Sequence, residues 1–145
     1  MTPASGGADE RSGLAARQAE LVAALVAGGT VPPGFDATRL DATRRALVRK
    51  RAGEAAKAWP LLAASCGGDW PRAFAAHRAG HEPVGALRDG WDVARALQRR
   101  GELSAGAAAE LAEREFAFRY DGQGDPRPRR GVRFRRSVAK LLARR

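Results

Sequence analysis

Residues 36–62 read DATRLDATRRALVRKRAGEAAKAWPLL, and this stretch decides the fold. Leu40, Leu47, Val48, Ala55 and Trp59 lie near one stripe at helical spacing, while Arg44, Arg45, Arg49, Lys50, Arg51 and Lys57 fill much of the remainder. Asp36 has the short carboxylate of an N-cap, and Asp41 offers a second cap if the helix is broken there. Pro60 lacks an amide donor and restricts the residue before it, so the helix ends or kinks at Trp59. Spread around the circumference, the arginines read as an ordinarily solvated face, with a second basic surface as the alternative.

Working toward the N-terminus, Leu14, Leu21, Val22, Leu25 and Val26 recur at three- and four-residue steps and predict a helix over 14–27, ended by Gly28 and Gly29. Pro32, Pro33 and Gly34 enforce a turn, and Phe35 is expected to anchor that loop on the core. Residues 1–12 read as a disordered lead-in. Toward the C-terminus, one more turn over 61–65 is stopped by Gly67 and Gly68. Asp69 then caps a short helix with Pro71 in its first turn and Phe74 and Trp70 pointing inward. A further helix is expected between Val84 and Arg100, starting properly at Asp89 and stopped by Gly101. Ser104 caps a helix over 105–119, with Leu103 placed to staple on Ala108 and Tyr120 closing it. Residues 121–131 form a linker, and 132–145 a basic arm, extended around Phe134 with a possible last turn after Ser137.

Composition agrees. The chain has 145 residues, enough for one modest core, and its 44% apolar share is drawn largely from alanine and leucine. There is no isoleucine and only nine aromatic residues, a mixture that favours close-packed helices over sheets. The expected fold is all-α: a single irregular bundle of five to six short helices over 13–120, with a basic, partly extended C-terminal arm. No apolar run is long enough to span a bilayer, and the first eleven residues lack the order of a signal peptide. The lone cysteine, Cys66, fits a reducing compartment, so a cytoplasmic location is expected.

The net charge of +10 is unevenly placed: residues 127–145 hold nine basic side chains and no acidic one, against 17 Lys/Arg and 16 Asp/Glu in residues 1–126. Arg129, Arg130, Arg133, Arg135 and Arg136 have the charge to neutralise phosphates, with Phe134 placed to stack. The rival readings of the arm are a solvated tail and a segment docked on its own domain or on a partner.

Few constellations support chemistry. His77 and His81 stand four apart on a helix, near Glu82 and Cys66, but a zinc site needs three or four ligands and no second pair is present. Cys66 at the end of an alanine-rich helix reads as a small buried residue rather than a nucleophile. There is no nucleophile elbow, phosphate-binding glycine loop or dinucleotide fingerprint. Trp59 and Trp91 fall on apolar stripes and read as core rather than as a platform for bases. Neither a catalytic site nor a cofactor or metal is expected.

One order of motifs is familiar. An apolar helix through Val26 leads to PPGFDATRL (32–40), then TRRALVRKRAGEAAKAWPLL (43–62), GGDWPRAFAAHRAGHEP (67–83) and ELAEREFAFRY (110–120). Over about residues 14–120 this resembles the N-terminal helical domain, carrying a DNA-binding label, of partner proteins of multinuclear iron-dependent peptide maturases of the bufferin and methanobactin type. It is also similar to small actinobacterial-type proteins with such a domain. The larger peptide-binding domain of the maturase partners is not expected in these residues, the arm being read in its place. The resemblance implies a non-catalytic accessory or adaptor protein that binds another protein, with an iron-dependent maturase as the specific candidate; Arg44, Arg49, Trp70, Phe74, His77 and His81 are expected at or near the partner surface. The alternative is a nucleic-acid-binding protein without sequence specificity, acting through the arm.

Overall fold

The computed structural model describes residues 6–129. They form six α-helices, α1 (Gly6–Ala27), α2 (Ala37–Ala58), α3 (Pro60–Cys66), α4 (Trp70–Arg78), α5 (Ala86–Arg99) and α6 (Ala105–Ala117), followed by a ladder of two short strands, β1 (Phe118–Arg119) and β2 (Arg127–Pro128). The all-α expectation holds. α2 is the centre, with α1, α3, α4 and α5 all packed against it, while α6 closes over α3 and α5. No described helix is long and apolar enough to cross a membrane.

The caps explain most of the boundaries. Asp36 accepts from the amides of Thr38 and Arg39, and Ser104 Oγ from that of Ala107. Trp59 separates α2 from α3, Pro60 opening the next helix where its missing N–H costs nothing. Gly101, at φ 69°, ends α5 in the left-handed conformation.

Several expectations need correction. α1 starts at Gly6, so most of the proposed lead-in is helical; residues 1–5 lie outside the described residues. Asp41 does not restart α2, which is continuous, and pairs instead with Arg44 at 3.1 Å. Asp69 makes no capping bond to α4; it closes a 3-10 turn over Gly67–Asp69 and pairs with Arg72. α5 begins at Ala86 after Gly85, and Asp89, expected at its start, is buried inside the bundle. Phe35 does not anchor its loop; the ring is 46% exposed. Residues 121–129 are more than a linker, since the chain reverses so that Phe118 pairs with Pro128 and Arg119 with Arg127.

The core gathers Trp59, Leu62, Phe74, Trp91, Val93 and Leu111, with Trp70 and Tyr120 at its margins. Trp59 and Trp91 meet edge to face at 5.6 Å, and Trp91 leans on Tyr120 at 5.2 Å. Each buried indole N–H has an acceptor: Trp59 donates to Leu87 O at 2.9 Å and Trp70 to Ala52 O at 2.8 Å. Glu110, reaching in from α6, accepts from the amide of Leu62 at 2.8 Å and so caps the first turn of α3.

Charge also enters the interior. Asp89 is 2% exposed and is held by Arg51 from α2 and by Arg78 from α4, at 3.0 and 2.9 Å. Arg78 reaches on to Asp92 at 3.2 Å, and Asp92 accepts from the Tyr120 hydroxyl at 3.0 Å. One chain of charge-assisted bonds therefore joins α2, α4, α5 and the segment after α6.

Candidate functional site

On α4, two stripes one residue apart lie about 100° apart around the helix. Trp70, Phe74 and Arg78 recur every four residues and are buried against α2 and α5. Pro71, Ala75 and Ala79 recur at the same spacing beside them and turn outward. Because those outward side chains are small, a trough stays open between α4 and α2. Its floor is Val48, Ala75 and Pro71 together with Leu25 and Val26 from the end of α1, and it encloses about 360 Å³. Arg45 and Arg49 on α2 and Arg72 on α4 form the rim.

The far end of the trough depends on two glycines. Gly28 and Gly80 both take positive φ, 73° and 74°, and a Cβ on Gly28 would stand 3.1 Å from Gly80 Cα. Only glycine lets the exits of α1 and α4 come this close. Arg44 holds α1 in place, donating through Nε to Ala24 O and through Nη2 to Gly29 O, both at 2.7 Å. It thereby satisfies carbonyls at the negative end of α1.

The six residues expected at a partner surface separate here. Arg44 and Arg49 line the trough, but Arg44 is engaged with α1 and Asp41, which leaves Arg49 as the one offered outward. Trp70 and Phe74 are buried and support the floor from behind. His77 is half-buried on another flank of α4. Burial, then Arg100, holds its pKa below the usual imidazole value, Arg99 adding to this and Glu102 opposing it. His81 is exposed beyond α4, its Nδ1 3.1 Å from Ala79 O, and its carbonyl accepts from Arg51 at 2.9 Å. Arg51 is likewise no solvated face residue, being committed to Asp89 and this carbonyl.

Arg45, Arg72, Val48 and Ala75 complete the trough; the sequence named Arg45 only within a general basic face and Val48 only within the apolar stripe, and did not single out Arg72 or Ala75. Their signal was present, as two arginines one helical turn apart with a valine between them, and a Pro/Ala/Ala repeat of four beside the aromatic stripe. Arg45 and Arg49 have no acidic or hydrogen-bonding partner among the described residues, although like charges one turn apart on a helix disfavour it by a few tenths of a kcal/mol, about 0.2–0.5. Among the described residues no group of three His, Cys, Asp or Glu side chains is placed to hold a metal ion. Of the residues expected to meet phosphates only Arg129 is described, and its guanidinium Nε donates to Glu115 O at 2.8 Å and to Phe118 O at 3.3 Å. Arg130, Arg133, Phe134, Arg135 and Arg136 lie outside the described residues.

The chain is 36% identical over 136 residues to a UPF0276 protein of Streptomyces avermitilis, covering 93% of this chain and 28% of that one. It thus spans little more than a quarter of the length of the curated relative it matches. No solved structure matches it significantly. Residues 15–99 match the family described as SCO6045-like, C-terminal domain, a span that runs from α1 to the end of α5 and contains every residue of the trough. The chain therefore belongs to the SCO6045-like C-terminal domain family.

Proposed function

We propose that this domain is a non-catalytic accessory module that binds another protein, an iron-dependent peptide-modifying oxidase of the maturase type. The observation that carries this reading is the trough: an apolar floor between three helices, with two uncompensated arginines above it. An apolar centre with a charged rim is the pattern of a surface that excludes water on binding a protein. The streptomycete relative adds support, because the segment that matches is 28% of that protein and is joined there to a longer remainder in the same polypeptide. A domain that travels with a larger body has a ready physical use in docking on it. The resemblance of the motif order to maturase partner proteins is what names the class of partner proposed for this chain.

The test is capture of partners from native lysate of the source cells on the intact chain, with and without nuclease. Retention of an iron-containing protein, identified by mass and metal content and indifferent to nuclease, is expected. If nuclease removes everything retained, the accessory reading fails. The basic residues of 127–145 would then be binding nucleic acid through phosphate neutralisation.

A further inference from the structure

We infer that the trough between α2 and α4 receives an acidic amphipathic helix of the partner protein. This deepens the accessory reading and rests on it, naming the surface and the chemistry of its occupant.

The surroundings decide the shape of the occupant. The walls are helices, and the described strands form a two-residue ladder remote in sequence from them, so there is no sheet edge beside the trough for an extended segment to join. A trough walled by helices instead accepts the side chains of a further helix, entering at i, i+3, i+4 and i+7. The floor offers those side chains mostly apolar contacts, through Val48, Pro71, Ala75, Leu25 and Val26.

Charge decides the flanks of the occupant. Arg45 and Arg49 stand one turn apart on the same face of α2, both exposed and both without a partner among the described residues. Arg72 lines the same trough from α4 and, among the described residues, pairs with Asp69 alone, in a pair that is largely exposed on both sides. Carboxylates beside the apolar stripe of an incoming helix would pair with this rim and remove the repulsion between Arg45 and Arg49. The negative pole of α1, which would otherwise repel an acidic ligand at the end of the trough, is already occupied by Arg44. A nucleic acid would use the same arginines but leave the apolar floor unfilled, so the floor favours protein.

The test uses the full chain and a fluorescent helical peptide of about 18 residues, five turns, with Leu along one face and Glu on both flanks. Three comparison ligands accompany it: the same peptide with Lys for Glu, one with the same composition in scrambled order, and a DNA strand of equal length. Three chains are titrated, the native one, Arg45→Glu/Arg49→Glu, and Arg99→Glu/Arg100→Glu, which makes the same charge change at the exposed end of α5. Circular dichroism confirms equal helix content in all three. The Glu peptide should saturate the native chain and the α5 variant alike and lose about tenfold or more in affinity for the α2 variant, with the Lys and scrambled peptides weaker throughout. Equal weakening by both variants overturns the inference, as does equal binding of the ordered and scrambled peptides, or DNA binding lost only in the α2 variant. The accessory reading is scored separately by lysate capture: an iron protein retained equally by the native chain and the α2 variant keeps that reading and removes the trough as its surface.

Discussion

A Cβ built on Gly90 would lie 2.1 Å from Cδ1 of Trp59. The indole lies flat enough on α5 to need the missing side chain, and its N–H reaches Leu87 O one turn earlier. Arg114 covers the other side of the ring, with its guanidinium carbon 4.2 Å from the ring centre and a hydrogen bond to Ala58 O. Helix propensity alone would favour alanine at position 90 by about 1 kcal/mol. Packing should win, because the nearest atoms belong to a rigid, fully buried ring. Gly90→Ala is expected to destabilise the domain by about 2 kcal/mol in chemical denaturation. A variant as stable as the parent would show that Trp59 can move aside.

Asp89 carries the charge of both Arg51 and Arg78 in the interior. Asp89→Asn keeps the shape but takes from Arg51 its described counter-charge and leaves Arg78 with Asp92 alone, so a loss of about 3 kcal/mol is expected. Asp41→Asn breaks an ion pair whose carboxylate is mostly exposed and should cost less than about 1 kcal/mol. Urea denaturation of both variants checks the contrast, and equal losses would contradict the buried network.

The two glycines at the closed end of the trough separate backbone strain from close approach. Gly28→Ala and Gly80→Ala both place a side chain at positive φ, a cost of about 1–2 kcal/mol each. Only the first also meets backbone, at Gly80 Cα, since nothing lies within 4 Å of a Cβ on Gly80. Gly28→Ala should therefore be the more destabilising of the two, measured by thermal melting. The reverse order would mean that the exits of α1 and α4 do not touch.

His77 supplies a dependence on acid. Its folded pKa lies below the unfolded value of about 6.5, so the unfolded chain takes up the proton first as pH falls. The contribution of His77 to stability is thus full above that value and declines as pH drops toward the folded pKa. The stability of the native chain should fall between neutral and mildly acidic pH more than that of His77→Gln, as read from denaturation midpoints. Parallel profiles would place the sensitivity elsewhere.

Tyr120 gives the opposite sign at high pH. Burial raises its pKa most and the hydrogen bond to Asp92 adds to this, while Arg88 opposes them. A raised folded pKa means stability that is complete below the unfolded value and lost as pH rises through the folded one. As the sole tyrosine, it can be followed by ultraviolet absorbance, and phenolate should form later in the folded chain than after denaturation. Earlier ionisation in the folded chain would mean that Arg88 outweighs burial and Asp92.

Local chemistry along the chain was enough for the class of fold and most helix limits. Asp36 and Ser104 bond to amides two or three residues on, Pro60 constrains Trp59 directly, and Gly101 turns the backbone by itself. Such effects act within a few residues and are legible in a window of that size. The inward set Trp59, Trp70, Phe74 and Trp91 was legible for the same reason, because helical periodicity separates it from polar neighbours. The site was legible in Arg49, in Arg45 as part of a general basic surface and, as an engaged neighbour, in Arg44. The trough is a space between helices that arises where α4 turns its small residues outward, and no one helix encloses it. Which arginines are spent on the interior and which remain free was likewise decided only by tertiary structure. Arg51 finds Asp89 across 38 residues and Arg44 finds Ala24 O across 20, while Arg45 and Arg49 between them find nothing among the described residues. Propensity and spacing treat these four arginines alike. What distinguishes them is the identity of the surface that each meets, and that is set by how α1, α4 and α5 dock on α2.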